Sequence, residues 1–283
     1  MRQGVNKFMR HNLLISKTFA HAFLVIGVLL SIFPFYWLVV MSTNETAAIF
    51  AVPPRFTFGD SFATNFGKVM DSIDFWRALL NTLFVASVST ALQLFFNSLT
   101  GFTFSKFKFP GRHLLFFLMM ATMMIPGQML LVPQFIIMKE IGWIGSYYAL
   151  IVPGIATAFG IFWIRQYAMA IHDELLEAAT IDGCSKFGLY WRIALPILKP
   201  ALAFLAITTF MGVWEDYLWP LIILNDSSKF TLMLVLQQLK SVHTADYSMV
   251  MTGTLLATIP LIVFFLIISR QFIAGIMEGA VKS

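Results

Sequence analysis

Six stretches of mostly apolar residues, each about twenty long or longer, run through this chain. They are roughly Phe19 to Met41, Leu79 to Phe104, Leu114 to Met138, Tyr148 to Ala168, Ile197 to Leu224 and Met249 to Ile273. About twenty such residues coiled as a helix cross the hydrocarbon of a bilayer, where every backbone amide must find its partner inside the protein. Only 12% of the 283 residues are charged, too few to coat a water-facing surface of this size. The expectation is an all-α integral membrane protein with six transmembrane helices in one domain, residues 1–283.

Charge placement orients these helices. Arg2, Lys7, Arg10 and Lys17 precede the first apolar run, which is too long for the core of a cleaved signal peptide and reads as a retained span. With the N-terminus inside, thirteen Lys and Arg fall on the cytoplasmic side, among them Lys106, Arg165, Arg192, Arg270 and Lys282. Six fall outside, including Arg55, Lys68 and Lys229. The bias predicts both termini in the cytoplasm, with the polar segment Ser42 to Ala78 external and Gln166 to Pro196 internal. The net charge of +5 comes with no dense basic run, which argues against nucleic acid as a partner. Cys184 has no intrachain disulfide partner. His11, His21, His113, His172 and His243 are scattered, so no metal site is expected.

Pro34, Pro126 with Gly127, Pro133, Pro153 with Gly154, and Pro260 interrupt the apolar runs. Asn81, Gln93, Asn97, Gln128, Thr157, Glu215 and Asp216 add polar side chains to them. Such features survive in lipid where spans pack on one another or line a cavity. The adjacent acids Glu215 and Asp216 mark a functional position, since a charge at mid-membrane costs about 2.5–3.5 kcal/mol. Two readings fit them, lining a translocation path or pairing with a partner subunit.

The most informative stretch is His172 to Pro200, HDELLEAATIDGCSKFGLYWRIALPILKP. Asp173 reads as an N-cap, with Glu174 and Glu177 near the positive end of a helix. Gly183 ends that helix in a left-handed conformation, a second short helix starts near Ser185, and Pro196 opens the fifth span. The pattern predicts a helix-turn-helix at residues 171–196. Its Ala178 and Ala179 permit close approach of another surface, while Glu177 and Asp182 can bind donors there.

The run Glu177-Ala178-Ala179, with Asp182-Gly183 and Ile193-Ala194-Leu195-Pro196 behind it, resembles the EAA loop of ABC-type importer membrane subunits. Around it, Ala121 to Gly127, Leu150 to Gly154, Trp214 to Leu221 and the tail Gln271 to Lys282 are similar to the sugar-importing, maltose-type branch, in particular its shorter six-span permease subunit. The resemblance implies a non-enzymatic transport subunit in the cytoplasmic (inner) cell membrane of a prokaryote. It implies a second permease subunit beside it, two ATP-binding subunits docked on its loops, and an extracytoplasmic solute-binding protein delivering a carbohydrate. Glu177, Ala178, Ala179, Asp182 and Gly183 would form the joint with the ATPase. ATP and Mg would sit on that partner, and no cofactor on this chain, which lacks a G-x-x-x-x-G-K-[ST] loop.

Asn81, Gln128, Trp163, Trp214, Glu215 and Asp216 are the candidate solute-path residues. For Asn81, Gln128 and Thr157, bonding between helices competes with contact to solute. For Trp163 and Trp214, anchoring at the interface competes with stacking on a sugar face. Two rival classes have less support. A gradient-driven transporter calls for ionisable relays beyond the Glu215–Asp216 pair, and a membrane-embedded enzyme calls for clustered His, Glu or Asp.

Overall fold

A computed structural model describes the backbone of residues 2–241 and 246–280, and the side chains of residue 17, residues 19–240 and residues 246–269. The basic residues Arg2, Lys7 and Arg10, His11, His243, and the tail motif from Gln271 to Lys282 with Arg270 lie outside the described side chains. Every regular element among the described residues is helical. The longer ones are α1 (Arg2–Ser42), α2 (Phe62–Ser72), α3 (Phe75–Lys106), α4 (Arg112–Ala121), α5 (Leu131–Glu140), α6 (Ala158–Met169), α7 (Asp173–Ile181), α8 (Lys199–Glu215), α9 (Leu218–Ile223), α10 (Leu232–Ser241) and α11 (Tyr247–Ala280).

Six membrane crossings follow. Phe19–Ser42, Phe75–Lys106 and Tyr247–Ser269 are single apolar helices, of 24, 32 and 23 residues. The other three are bent: by 94° between Arg112–Met124 and Gly127–Glu140, by 40° between Tyr148–Gly154 and Ala158–Met169, and by 79° between Lys186–Ile197 and Lys199–Glu215. Two of the three bends fall at Pro126-Gly127 and Pro153-Gly154, where proline removes an amide donor from the helix ladder. Pro34 and Pro260, by contrast, sit inside continuous helices. The fifth crossing departs from a helix opened by Pro196. Pro196 lies in a three-residue helix, Leu195–Ile197, and the long helix starts after the bend with Pro200 in its first turn.

The chain divides into two compact units. In the unit that contains the chain up to Ser72 and Leu239–Leu256, α1 leaves its apolar side chains from Phe19 to Phe35 exposed, as a lipid-facing helix must. Only its end is buried, at Val40, Met41 and Ser42. There Asn65 Nδ2 donates to Ser42 O and Asn44 O, at 2.9 Å each, satisfying carbonyls left over at the helix terminus. Asp246 gathers three segments of this unit. It accepts from Thr46 Oγ1 at 2.6 Å, pairs with Lys68 Nζ at 2.6 Å, and caps α11 by accepting from Met249 N at 3.3 Å. Partial burial pushes its carboxyl up, but the hydrogen bonds from Lys68, Thr46 and the Met249 amide outweigh this and hold the pKa at about 2.

In the other unit, Ile73–Gln238 with the chain from Ala257, α3 is the central post. It packs most extensively on α6, where Gly101 lets the backbones meet: a Cβ there would lie 2.8 Å from Ile161 O and 2.9 Å from Ile164 Cβ. One turn away, fully buried Asn97 accepts from Thr157 N at 2.8 Å and donates to Thr157 Oγ1 at 3.2 Å. Thr157 in turn caps α6. Thr157 and Asn97, two of the polar residues noted in the apolar runs, thus bond helix to helix. Phe102, Ile164, Ala168, Leu176, Tyr190, Leu198 and Leu205 form the adjoining core.

Candidate coupling site and solute path

The segment after α6 is built outward from this core. Ile171 and Leu176 are buried, which fixes one face of α7, while Glu174, Leu175, Glu177, Ala178 and Ile181 remain exposed on the rest of it. Ala179 is half-buried against the core. Asp173 and Glu174 occupy the first turn, where the helix dipole favours acids. The N-cap residue itself is His172, which makes no side-chain cap, so Asp173 lies one position inside the helix.

Asp173 instead joins α7 to α3. Lys106, in the last turn of α3, places its ammonium 2.7 Å from Asp173 Oδ1 and also donates to Ile171 O. That hydrogen bond, and then the Lys106 charge, hold the Asp173 carboxyl below its ordinary pKa.

α7 ends as its sequence dictates. Gly183 has φ +83°, Gly183 N donates to Thr180 O at 3.0 Å, and Cys184 N reaches back to Ala179 O at 2.9 Å. This pair of reverse bonds around a left-handed glycine is a Schellman stop, and it leaves Asp182 and Gly183 exposed at the tip. Ser185 then caps the next turn by accepting from Gly188 N at 3.1 Å, and the chain continues as a π-helical segment, Leu189–Ala194. Between them Gly183, Ser185, Phe187, Trp191 and Arg192 line an open cleft of about 540 Å³. Glu177, Ala178, Asp182 and Gly183 are therefore presented together on one short, rigidly ended helix.

The six solute-path candidates are dispersed. Asn81 Nδ2 donates to Ser228 O at 3.0 Å and Phe230 O at 2.9 Å, pinning the segment before α10. Trp163 packs on Phe204 and donates its indole N–H to Ala201 O at 3.1 Å. Trp214 is buried against Phe210. The chain breaks between the two acids. Glu215 ends α8 with its side chain exposed, while Asp216, the residue after it, accepts from Trp219 N in the first turn of α9 at 3.3 Å. Gln128 lies exposed in the 94° bend. Among the described residues, Gln128 and Glu215 are the two of the six whose side chains are exposed, and neither makes a side-chain hydrogen bond; Trp214 also lacks one but is buried.

The fold, with its bent crossings and helix-turn-helix between the fourth and fifth, defines a class. The chain belongs to the inner membrane components of binding-protein-dependent transport systems, whose family model matches residues 93–278. It is similar to the lactose transport system permease protein LacG of Rhizobium radiobacter, 35% identical over 262 residues covering 93% of this chain and 95% of that one. It is 32% identical to the arabinooligosaccharides transport system permease protein AraQ of Bacillus subtilis, over 90% and 92% of the two chains. To the sn-glycerol-3-phosphate transport system permease protein UgpE of Escherichia coli it is 31% identical, over 92% and 96%. The same fold occurs in a bacterial ABC transporter involved in import of the acidic polysaccharide alginate, with a TM-score of 0.80 at 23% identity over 91% of this chain and 96% of that one.

Proposed function

We propose that this chain is the six-span permease subunit of an ATP-driven importer that carries a carbohydrate across the cytoplasmic membrane, and that α7 is its joint with an ATP-binding subunit. The observation that carries the reading is the geometry of α7. It is anchored by Leu176, stopped by Gly183, and exposes Glu177, Ala178 and Asp182 on a surface the fold leaves unoccupied. A helix held this way transmits a push rather than absorbing it.

In this reading two ATPase subunits close on ATP and Mg, and move this chain and a second permease subunit, identical or similar, through α7. Both termini and α7 face the cytoplasm, and a solute-binding protein delivers cargo to the opposite face. Carbohydrate as cargo is supported by the relatives named for lactose and arabinooligosaccharides. The relative named for sn-glycerol-3-phosphate favours a second reading, a phosphate ester, which uptake assays with labelled sugars and glycerol phosphate separate. Gln128 and Glu215 are the side chains we assign to the solute. Asn81, Trp163, Trp214 and Asp216 hold the helices around them.

Purification from native membranes in mild detergent, followed by mass spectrometry, tests the assembly. Recovery of an ATPase with a phosphate loop, together with a permease partner, is the expected result, weakened by Glu177→Arg. A chain recovered alone that moves solute in ATP-free liposomes would overturn it.

A further inference from the structure

Behind the second half of the coupling segment, and sharing Trp191 with the cleft at its tip, lies a second cavity of about 380 Å³. Its walls come from four elements of one unit: Leu94, Phe95 and Ser98 of α3, Tyr190 and Trp191 of the π-helical segment, the short helix Leu195–Ile197, and Leu202 of α8. The polar atoms at its floor are already used, since Ser98 Oγ and Tyr190 Oη bond to each other at 2.8 Å. The surface offered is therefore almost wholly apolar. One charge lines it, the exposed ammonium of Lys199. No carboxylate lines the cavity, and Lys199 has no ion-pair partner among the described residues.

We propose that this groove holds one acyl chain of an anionic phospholipid, with the lipid phosphate paired to Lys199 and Trp191 at the lip. The argument is one of charge and solvent. Lipid tails gain little by leaving bilayer for an apolar groove, so the groove alone selects nothing among lipids. Selection comes from the single unpaired cation at its edge, which matches an anionic headgroup and repels none of its neighbours. The volume lies at the lower end of ordinary ligand sites, suited to one chain rather than a whole lipid. The bound lipid would brace the π-helical segment against α3, next to the joint it supports. The proposal rests on the coupling reading only for which leaflet supplies the lipid.

The test uses the full assembly, wild type and variants, in phosphatidylcholine nanodiscs with and without phosphatidylglycerol, with retained lipid counted by native mass spectrometry. Wild type and Lys199→Arg should keep phosphatidylglycerol in preference to phosphatidylcholine. Lys199→Glu should lose that preference by about fivefold or more, the factor equivalent to roughly 1 kcal/mol per basic residue at an anionic surface. Leu202→Trp, which fills the groove and leaves the charge, should also release the lipid. Equal retention of both lipids by wild type, unchanged retention in Lys199→Glu, or a photo-crosslinker at position 202 that captures a permease helix instead of lipid would overturn the proposal. An ATPase recovered in the same samples scores the importer reading independently.

Discussion

Gly183 shows how much a single backbone position can decide. Nothing lies within 4 Å of a Cβ built there, so space does not demand glycine; the φ of +83° does. Gly183→Val should cost about 1–2 kcal/mol locally and unwind the end of α7. Gly183→Asn, which tolerates that conformation, should retain most function. ATPase stimulation by the binding protein and solute is the measurement, and equal stimulation in both variants would remove the glycine from the joint. Asp246 gives a pH prediction. Its folded pKa of about 2 lies below the ordinary value near 3.9, so its contribution is complete above about pH 4 and disappears as pH falls through 2. Discounted for solvent screening, that contribution is about 1 kcal/mol. The thermal midpoint of Asp246→Asn should therefore fall below wild type at pH 7 and converge with it near pH 2. Neither Asp246 nor its partners stood out in the sequence. Lys68 and Thr46 are 178 and 200 residues away, and no local pattern links them.

At the scale of elements, the apolar runs and their Pro-Gly interruptions made six crossings legible, and the acidic start and Gly183 stop made α7 so. The size of each bend was not legible, because proline frees an amide but packing sets the angle. The π-helical turn Leu189–Ala194 carried no signal either: it buries Leu189 and Tyr190 in a core built from distant residues, which no local pattern announces. The pair Glu215–Asp216 was ambiguous for a related reason, since only the break between α8 and α9 turns one acid outward and ties the other to the Trp219 amide. The α3–α6 crossing yields the sharpest element-level test. Gly101→Leu drives a side chain into the Ile161 carbonyl and should cost about 3 kcal/mol. Asn97→Ala, which strips the part-buried Thr157 amide of its acceptor, should cost about 1–3 kcal/mol. Thermal stability in detergent reads both, and a Gly101→Leu protein as stable as wild type would contradict the close approach.

For the whole molecule, sidedness is the open prediction. In a Cys184→Ser background, a cysteine placed at Asp60 should react with a membrane-impermeant maleimide in intact cells. One at Glu177 should react only after permeabilisation, and the reverse pattern would invert the topology. The Lys106–Asp173 pair has a mechanical consequence. It welds the start of α7 to the foot of a 32-residue helix. Some 25 residues up that helix, about 37 Å at 1.5 Å per residue, Asn81 and Thr82 grip the strap from Ser228 to Leu232. A displacement of α7 would thus reach the strap by way of α3, a pushrod with its two handles already fitted.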